Sequence, residues 1–419
     1  MTSAPSAPRK PLLPLDDALA QLLAAVVPLT ATEQVSTFDA DGRVLAADVV
    51  SSLQVPAFDN SSMDGYAVHA EDLLRGSNEL RVTQRIAAGS VGEHLQAGTA
   101  ARIFTGAPVP PGADAVVMQE DCTPTQDERH GQPETIRVNT TPLPGQYIRH
   151  AGEDVQRGDC VLPAGTRLGP AELGLAASIG MAHLEVVRKP RVALFSTGDE
   201  LVMPGTVAPQ DMPPGAIYNS NRFFLLNLLR RMGCEVADLG IVPDNRAATV
   251  AALQGAAADN DVILTSGGVS VGEEDHIKPA VQSLGTLDLW QIGMKPGKPF
   301  AHGRIGSAHF IGLPGNPVSS YVTFLLLVRP FLLRLQGVQD LGMNSMAVRA
   351  DFDWPNADKR REFLRVRRNA NGGLDLFNNQ SSGVLTSAVW GDGVVDVPPG
   401  QPILYGQTVQ YIPFSELLR

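Results

Sequence analysis

The sequence is poor in cysteine and in positive charge, and it has no long apolar run. Cys122, Cys160 and Cys234 stand far apart, without the close pairs of zinc sites and redox motifs. Lysine and arginine number 33 against 44 acids, and the formal charge of -11 argues against a duplex nucleic-acid binder. The most apolar run, Val322 to Val328, ends at Arg329 and is too short for a bilayer span, and no signal peptide is recognisable. We therefore expect a cytoplasmic protein that binds neither nucleic acid nor membrane.

The length and the changing residue pattern predict several domains. The chain has 419 residues, 43% of them hydrophobic and 18% charged, which is typical of a globular protein with about three domains. The pattern predicts a multidomain α/β and β fold with four parts. These are an elongated linking region (10–50 plus 145–188), a β-rich inserted domain (51–144), a central doubly wound α/β domain (189–336) and a C-terminal small β-barrel domain (337–419). The linking region is expected to contain helices at 15–26 and 170–179.

The central domain alternates strand-like and helix-like segments, and this rhythm predicts a parallel, doubly wound sheet. The expected strands are RVALF, EVADLGIV, DVILTS, LDLWQIGM, PFAHG and HFIGL, and the expected helices cover 221–232, 246–258, 275–284 and 318–335. Each of the loops STGDE, VPD, TSGGVS, MKPGKP and LPGNP follows a predicted strand. Because parallel strands share a direction, we expect all these loops at the carboxyl edge of one sheet, where such folds bind ligands.

The double glycine in TSGGVS indicates a turn that exposes backbone N–H groups. Gly267 and Gly268 could let a phosphate approach the backbone, with Ser266 and Ser270 beside them. A plain glycine turn is the alternative interpretation.

The loop LPGNP precedes a long apolar segment. Asn316 is a natural N-cap residue, and Pro317 is well suited to the first helical position. Together with Pro314 and Gly315, they predict a rigid loop where the helix begins; a well-made helix cap alone would also explain them.

Lysines and acids both occur in the loops of the predicted edge. Lys295 and Lys298 each precede a proline, which keeps them out of a helix and favours an anion site over a solvated lysine run. Carboxylates beside a phosphate site suggest Mg²⁺, although single acids could instead cap helices. The acids concerned are Asp199, Glu200, Asp244, Glu274 and Asp275. The chain has no Walker loop, dinucleotide fingerprint, HExxH pair or GxSxG elbow.

Seven motifs in order carry a family resemblance. With FDNSSMDGYA, TGAPVP, GED, FSTGDEL, TSGGVSVGEED, KPGKP and LPGNPVS, the chain resembles the MoeA-type molybdopterin molybdenumtransferases, which include the gephyrin E domain. The resemblance runs from about Leu15 to the C-terminus. It implies an enzyme of molybdenum cofactor biosynthesis, in which molybdate and adenylylated molybdopterin are the substrates. The reaction that it implies inserts molybdenum with Mg²⁺-dependent release of AMP.

The resemblance also implies roles for individual residues. The implied catalytic residues are Asp64, Asp154, Glu200, Asp244 and Asp275, of which the last three would bind the metal. The implied substrate-binding residues are Thr105, Arg149, Ser266, Gly267, Gly268, Ser270, Lys295, Lys298, Pro314, Gly315, Asn316, Pro317, Arg360, Arg365, Ser382 and Ser387.

The family further implies a homodimer with a shared active site, in which Asp64 and Thr105 of one subunit cover the α/β site of the other. From the residues alone, we interpret Asp64 as part of a structural turn in DNSSMDGY. The expected protein partners are the molybdopterin adenylyltransferase and molybdoenzyme chaperones. Two other functions stay open, a gephyrin-like scaffold and a molybdopterin adenylyltransferase. Acids and lysines kept at the sheet edge favour catalysis over the scaffold, and the additional domains argue against the adenylyltransferase.

Overall fold

The computed structural model describes residues 12–76, 78–125, 128–129, 132–133, 135–268 and 276–418. The linking region brings together two segments that are distant in the chain. Strand Thr32–Ser36 pairs antiparallel with His183–Val187, and Val49–Val50 pairs with Cys160–Leu162. The helices Leu15–Ala24 and Pro170–Ser178 and a 3-10 turn at Thr37–Asp39 complete it.

The inserted domain is a β-sheet that is covered on both faces. Along Glu79–Ile86, buried and exposed positions largely alternate, as expected of a strand. Val116 and Val117 point into separate apolar clusters on opposite faces of the sheet. The six-stranded sheet runs in the order Ala115–Met118, Gly65–Val68, Thr99–Ile103, Glu79–Ile86, Thr135–Val138 and Cys122–Pro124, with the short helices Ala70–Leu74 and Gln119–Asp121 beside it. Short strand pairs, Asn60–Ser61 with Ile148–Arg149 and Glu128–Arg129 with Gln132–Pro133, lie outside this sheet.

The central domain contains a mixed six-stranded sheet. Its order is Glu235–Val242, Arg191–Thr197, Val262–Ser266, Ala308–Leu313, Pro299–Ile305 and Gly285–Gln291. Pro299–Ile305 is antiparallel to both of its neighbours, so the prediction of a wholly parallel sheet is wrong at this strand. The cause is the tight turn between Ile305 and Ala308, since so short a connection can join only antiparallel strands.

Helices cover both faces of this sheet, which confirms the doubly wound architecture. Alternate residues of strand Arg191–Thr197 belong to different apolar clusters, Val192 and Leu194 on one face, Ala193 and Phe195 on the other. The first face packs against helices Ser220–Arg231 and Pro317–Leu335, and the second against Arg246–Asp259 and Ile277–Leu284. A small parallel pair, Leu201–Val202 with Ile217–Tyr218, and a 3-10 turn at Pro209–Asp211 lie between the first strand and helix.

The helix Pro317–Leu335 is longer than its most apolar run. Its 19 residues satisfy the length and composition criteria for a membrane span, but 89% of its apolar window is buried inside the protein, as in a core helix. The turns widen to a π-helix at Phe324–Val328, between the α-helical segments Pro317–Thr323 and Arg329–Leu335. This widening accommodates Pro330, which has no N–H to donate to the preceding turn.

The C-terminal domain is a closed five-stranded barrel, as predicted. The strands pair in the order Arg361–Arg368, Gly373–Leu376, Met346–Ala350, Thr408–Pro413 and Gly393–Val397, and the last strand pairs again with the first. Short helices at Thr386–Trp390 and Phe414–Leu417 flank the barrel. The segment Met294–Lys295 of the central domain adds a short parallel strand beside Arg361–Glu362. The barrel is therefore joined to the MKPGKP loop by backbone hydrogen bonds.

Candidate active site

The strand ends of the central sheet are level, so the loops that follow them meet. Thr197 lies opposite Val242 and Ser196 opposite Ser266 in the register of the sheet. Ser266 in turn lies opposite Leu313, the first residue of LPGNP. The expectation that these loops share one edge is confirmed.

A cavity of about 600 Å³ opens at this edge, within the usual size range of small-molecule sites. Loops from the central domain and one from the barrel contribute to it. Its lining comprises Ser196, Thr197, Glu200, Leu201, Ile217, Tyr218, Asn219, Ser220, Asn221, Ser266, Gly267, Pro299, Pro314, Gly315, Asn316, Pro317, Ser319 and Gly383. The double-glycine loop, LPGNP and the proline that ends MKPGKP therefore surround one space.

Asn221 connects two of these loops. Its Nδ2 donates to Ser266 Oγ at 2.7 Å and to the carbonyl oxygen of Gly315 at 2.7 Å. Asn219 is the N-cap of this helix, because its Oδ1 accepts from the Arg222 N–H. The helix start that it stabilises places Asn221 between the two loops. Sequence reasoning missed both asparagines as site residues; the available signal was the segment YNSN (218–221), of which only Asn221 lies in the predicted helix 221–232.

The double glycine is required by the backbone itself. Gly267 and Gly268 have φ of 96° and 67°, a conformation that other residues rarely adopt. A Cβ on Gly268 would overlap Cγ1 of Ile277, and one on Gly267 would lie 3.2 Å from the carbonyl oxygen of Thr197. The backbone therefore agrees with the interpretation as a tight glycine turn. Contact between Gly267 and a phosphate stays a prediction.

Asn316 occupies the N-cap position but does not act as a cap. Its side chain makes no capping hydrogen bond, is exposed and lines the cavity. The reason is that the N–H of Val318, a usual partner of a capping side chain, donates to the carbonyl oxygen of Ser382 at 2.9 Å. The barrel therefore satisfies this helix start, and Asn316 is left facing the ligand space. Pro317 is the first helical residue, as predicted.

Two buried polar atoms at the cavity have no hydrogen-bond partner in the part of the chain that the structure describes. Ser196 and Asn219 are 1% and 2% exposed, and both line the cavity. The atoms without a partner are Ser196 Oγ and Asn219 Nδ2. Since an unsatisfied buried polar group costs about 1–3 kcal/mol, these atoms favour a ligand that accepts and donates hydrogen bonds.

Lys295 is held by acids of the barrel. Its Nζ lies 2.9 Å from Glu362 Oε1 and 3.5 Å from Asp358 Oδ2. Arg360 donates from Nη2 and Nε to the two carboxylate oxygens of Asp358, at 2.7 and 3.0 Å, and this lowers the pKa of Asp358 below its usual range. Lys298 is half-buried and precedes the cavity residue Pro299. Sequence reasoning missed Glu362 and Asp358, although they flank the arginines it selected.

Arg365 and Ser387 support the barrel loop and do not line the cavity. Arg365 is 1% exposed, and it donates from Nε to Ser387 Oγ at 3.1 Å and from Nη1 to the carbonyl oxygen of Phe363 at 2.9 Å. Burial lowers the pKa of its guanidinium to about 10. These contacts support the loop of Ser382 and Gly383, and Gly383 of this loop lines the cavity.

The acids are distributed unevenly around the cavity. Glu200 is exposed and lines it, whereas Asp244 follows the strand that neighbours Thr197. The N-cap of the next helix is Asn245, whose side chain accepts from the Ala248 N–H at 2.9 Å. Of the other predicted residues, Ser270, Glu274 and Asp275 lie outside the described residues. Within the described ranges, no three His, Cys, Asp or Glu side chains form a group that could hold a metal ion.

Asp64 and Thr105 form a pair on the inserted domain. One Asp64 oxygen accepts from the Thr105 N–H at 2.8 Å and from its hydroxyl at 2.7 Å, which lowers the pKa of the Asp64 carboxyl. Arg149 lies on a short strand beside Asn60–Ser61, and Asp154 is exposed. None of these four predicted residues lines the cavity of the same chain.

A polar cavity at the carboxyl edge of a doubly wound sheet, with cations and acids in the surrounding loops, is typical of an enzyme that binds a phosphate-containing small molecule. Comparison with known families specifies the class. The chain matches the MoeA N-terminal region (domain I and II) at 13–180, the probable molybdopterin binding domain at 193–334 and the MoeA C-terminal region (domain IV) at 347–414. The chain belongs to the MoeA family of molybdopterin molybdenumtransferases.

Individual relatives cover most of the chain. It is 43% identical over 326 residues to the molybdopterin molybdenumtransferase of Haemophilus influenzae, covering 78% of each protein. It is 36% identical over 394 residues to molybdopterin molybdenumtransferase 2 of Mycobacterium tuberculosis, covering 91% of this chain and 93% of that one. The crystal structure of the molybdopterin biosynthesis MoeA protein from Pyrococcus horikoshii superposes with a TM-score of 0.82 at 29% identity, over 96% of this chain and 100% of the other.

Proposed function

We propose that the protein inserts molybdenum from molybdate into adenylylated molybdopterin and releases AMP. Family membership supplies the reaction class, and the observation that carries the proposal is the cavity at the carboxyl edge of the central sheet. Adenylylated molybdopterin has ring systems rich in hydrogen-bonding atoms joined by a diphosphate. The buried polar atoms of Ser196 and Asn219 suit such a ligand.

The cations of the MKPGKP loop and of the barrel suit molybdate, which is a tetrahedral dianion, although none of them is among the residues that line the cavity. Lys295 and Arg360 are held beside one another by Asp358 and Glu362, and Lys298 stands next to the cavity residue Pro299. Charge-assisted hydrogen bonds from such groups are roughly twice as strong as those between neutral groups. We assign these three cations to oxyanion binding.

Mg²⁺ is part of the proposal, with carboxylates as its protein ligands. Glu200 lines the cavity and Asp244 follows the neighbouring strand, so both offer the oxygen donors that Mg²⁺ prefers. Asp275 is the third predicted ligand and lies outside the described residues. When bound, Mg²⁺ would neutralise charge on the diphosphate as its bond breaks.

A homodimer with a shared site would give Asp64 and Thr105 a function. In one chain they are exposed and lie outside the cavity, which leaves them available to a second copy. Mixing an Asp64→Asn chain with a Glu200→Gln chain tests this, because mixed dimers would contain one intact site. We expect about one quarter of wild-type activity after subunit exchange. Equal inactivity of the mixture and of its separate components would contradict a shared site.

One assay tests the reaction itself. The protein is incubated with adenylylated molybdopterin, molybdate and Mg²⁺, and AMP release and bound molybdenum are followed. Wild type should release AMP only with molybdate present, and Lys295→Gln should raise the KM for molybdate. ATP consumption would indicate an adenylyltransferase, and binding without AMP release would indicate a scaffold. A protein that supplies adenylylated molybdopterin and one that receives the cofactor are the partners this reaction requires.

A further inference from the structure

A buried carboxylate of the barrel lies directly beneath Lys295. The Glu362 side chain is 2% exposed, and its Oε1 lies 2.9 Å from Lys295 Nζ. Its Oε2 accepts from Trp354 Nε1 and from the Asp358 N–H, both at 2.9 Å. Two hydrogen bonds to Oε2 therefore orient the carboxylate, and Oε1 forms an ion pair with Lys295 without hydrogen-bond geometry.

Asp358 connects this carboxylate to the second cation. It accepts three hydrogen bonds from Arg360, two from the guanidinium and one from the backbone N–H, and its Oδ2 lies 3.5 Å from Lys295 Nζ. The cations are the more accessible members, with Lys295 38% and Arg360 25% exposed against 19% for Asp358 and 2% for Glu362. The cluster therefore presents two cations toward solvent and keeps its two acids beneath them.

This arrangement orders the cations before an oxyanion binds, so the binding free energy is not reduced by the entropy of ordering them. Ordering a long lysine side chain is unfavourable, because the side chain loses rotamer entropy. Glu362 and Asp358 order Lys295 in the protein itself, and an ammonium has three N–H groups, so one can remain for a ligand. The backbone pairing of Met294–Lys295 with Arg361–Glu362 fixes the distance between the two partners.

We propose that Glu362 and Asp358 are positioning residues, which hold Lys295 and Arg360 in the geometry that receives the oxyanion. This inference rests on the proposed function, since it assumes that these cations bind molybdate. It assigns to the C-terminal barrel a direct part in substrate affinity, although neither acid lines the cavity.

The decisive variant is Glu362→Gln, which keeps the side-chain size and removes the charge. We expect the KM for molybdate to rise about tenfold, with kcat changed by less than about twofold, because a charge-assisted contact that orders the ground-state site is lost. Asp358→Asn should raise the KM as well. Calorimetric titration with molybdate alone should show the same loss of affinity without any turnover.

A double-mutant cycle separates positioning from general damage. In a Lys295→Gln background, Glu362→Gln should change the KM by less than about twofold, because Glu362 acts through Lys295. Asp351→Asn is the matched control, since Asp351 also pairs with an arginine of the barrel, Arg349, and has no contact with Lys295. It should leave the KM unchanged, and thermal unfolding of each variant reports its stability.

The outcomes distinguish the two proposals. If wild type releases no AMP with molybdate, the proposed function fails. If wild type is active and Lys295→Gln is impaired, but Glu362→Gln keeps the wild-type KM or lowers it, the positioning role is refuted. A full, additive effect of Glu362→Gln in the Lys295→Gln background would refute it too.

Discussion

Asn221 offers the most direct test of how the cavity is assembled. Its amide group joins the end of strand Val262–Ser266 to the LPGNP loop through hydrogen bonds of 2.7 Å to Ser266 and to Gly315, and the residue is 8% exposed. Replacing it with alanine removes both bonds. At about 1 kcal/mol net for each bond, the two loops lose about 2 kcal/mol of mutual restraint.

That loss should appear in ligand binding, because both loops line the cavity. If most of these 2 kcal/mol are lost from the binding free energy, the KM for adenylylated molybdopterin rises about tenfold to thirtyfold, since about 1.4 kcal/mol corresponds to a factor of ten. Steady-state AMP release at saturating molybdate measures the change. Asn227→Ala is the control, because Asn227 lies on the same helix and its side chain donates to the carbonyl oxygen of Phe223 in the preceding turn. An unchanged KM in Asn221→Ala, with both variants equally stable, would refute this account of the cavity.

Two further predictions concern the backbone and the buried histidines. Gly268→Ala should destabilise the loop by about 1–3 kcal/mol and reduce activity, because φ is 67° and the new Cβ would overlap Ile277; wild-type kcat/KM and melting temperature would contradict it. His302 and His309 are in contact, and burial lowers the pKa of each to about 4. Below about pH 6.5 the unfolded chain binds protons before the folded protein does, so stability should fall toward pH 4, by about 2 kcal/mol per histidine between pH 7 and 5. Urea unfolding at both pH values measures this, and an equal pH effect in a His302→Gln, His309→Gln variant would show that other groups are responsible.

The candidate site could be predicted in its broad layout. Strands and helices of the central domain were readable from local hydrophobic periodicity, and the predicted helices at 246–258 and 318–335 are observed at Arg246–Asp259 and Pro317–Leu335. Once their order was known, strand direction placed the loops at one edge, because this step needs only the sequence of elements. The resemblance to the MoeA family added the inserted-domain residue Asp64, whose local sequence also suits a structural turn.

The partners of individual side chains could not be predicted. Asn316 has the sequence of a helix cap, yet Ser382, which is distant in the chain, contacts the helix start instead. Lys295 was expected as one of two fixed cations, and the structure adds the buried Glu362 that fixes it. Such pairings depend on how separate domains pack, and local sequence does not encode that packing.

The sequence by itself determined the order of the domains and the edge of the sheet where the loops gather, because periodicity, glycine and proline act within a few residues. Only the tertiary structure decided the direction of strand Pro299–Ile305 and the closure of the barrel between Arg361–Arg368 and Gly393–Val397. The tertiary structure also decided that Glu362 forms an ion pair with Lys295. These features arise from contacts between distant segments, where the burial and charge of one segment are set by the other.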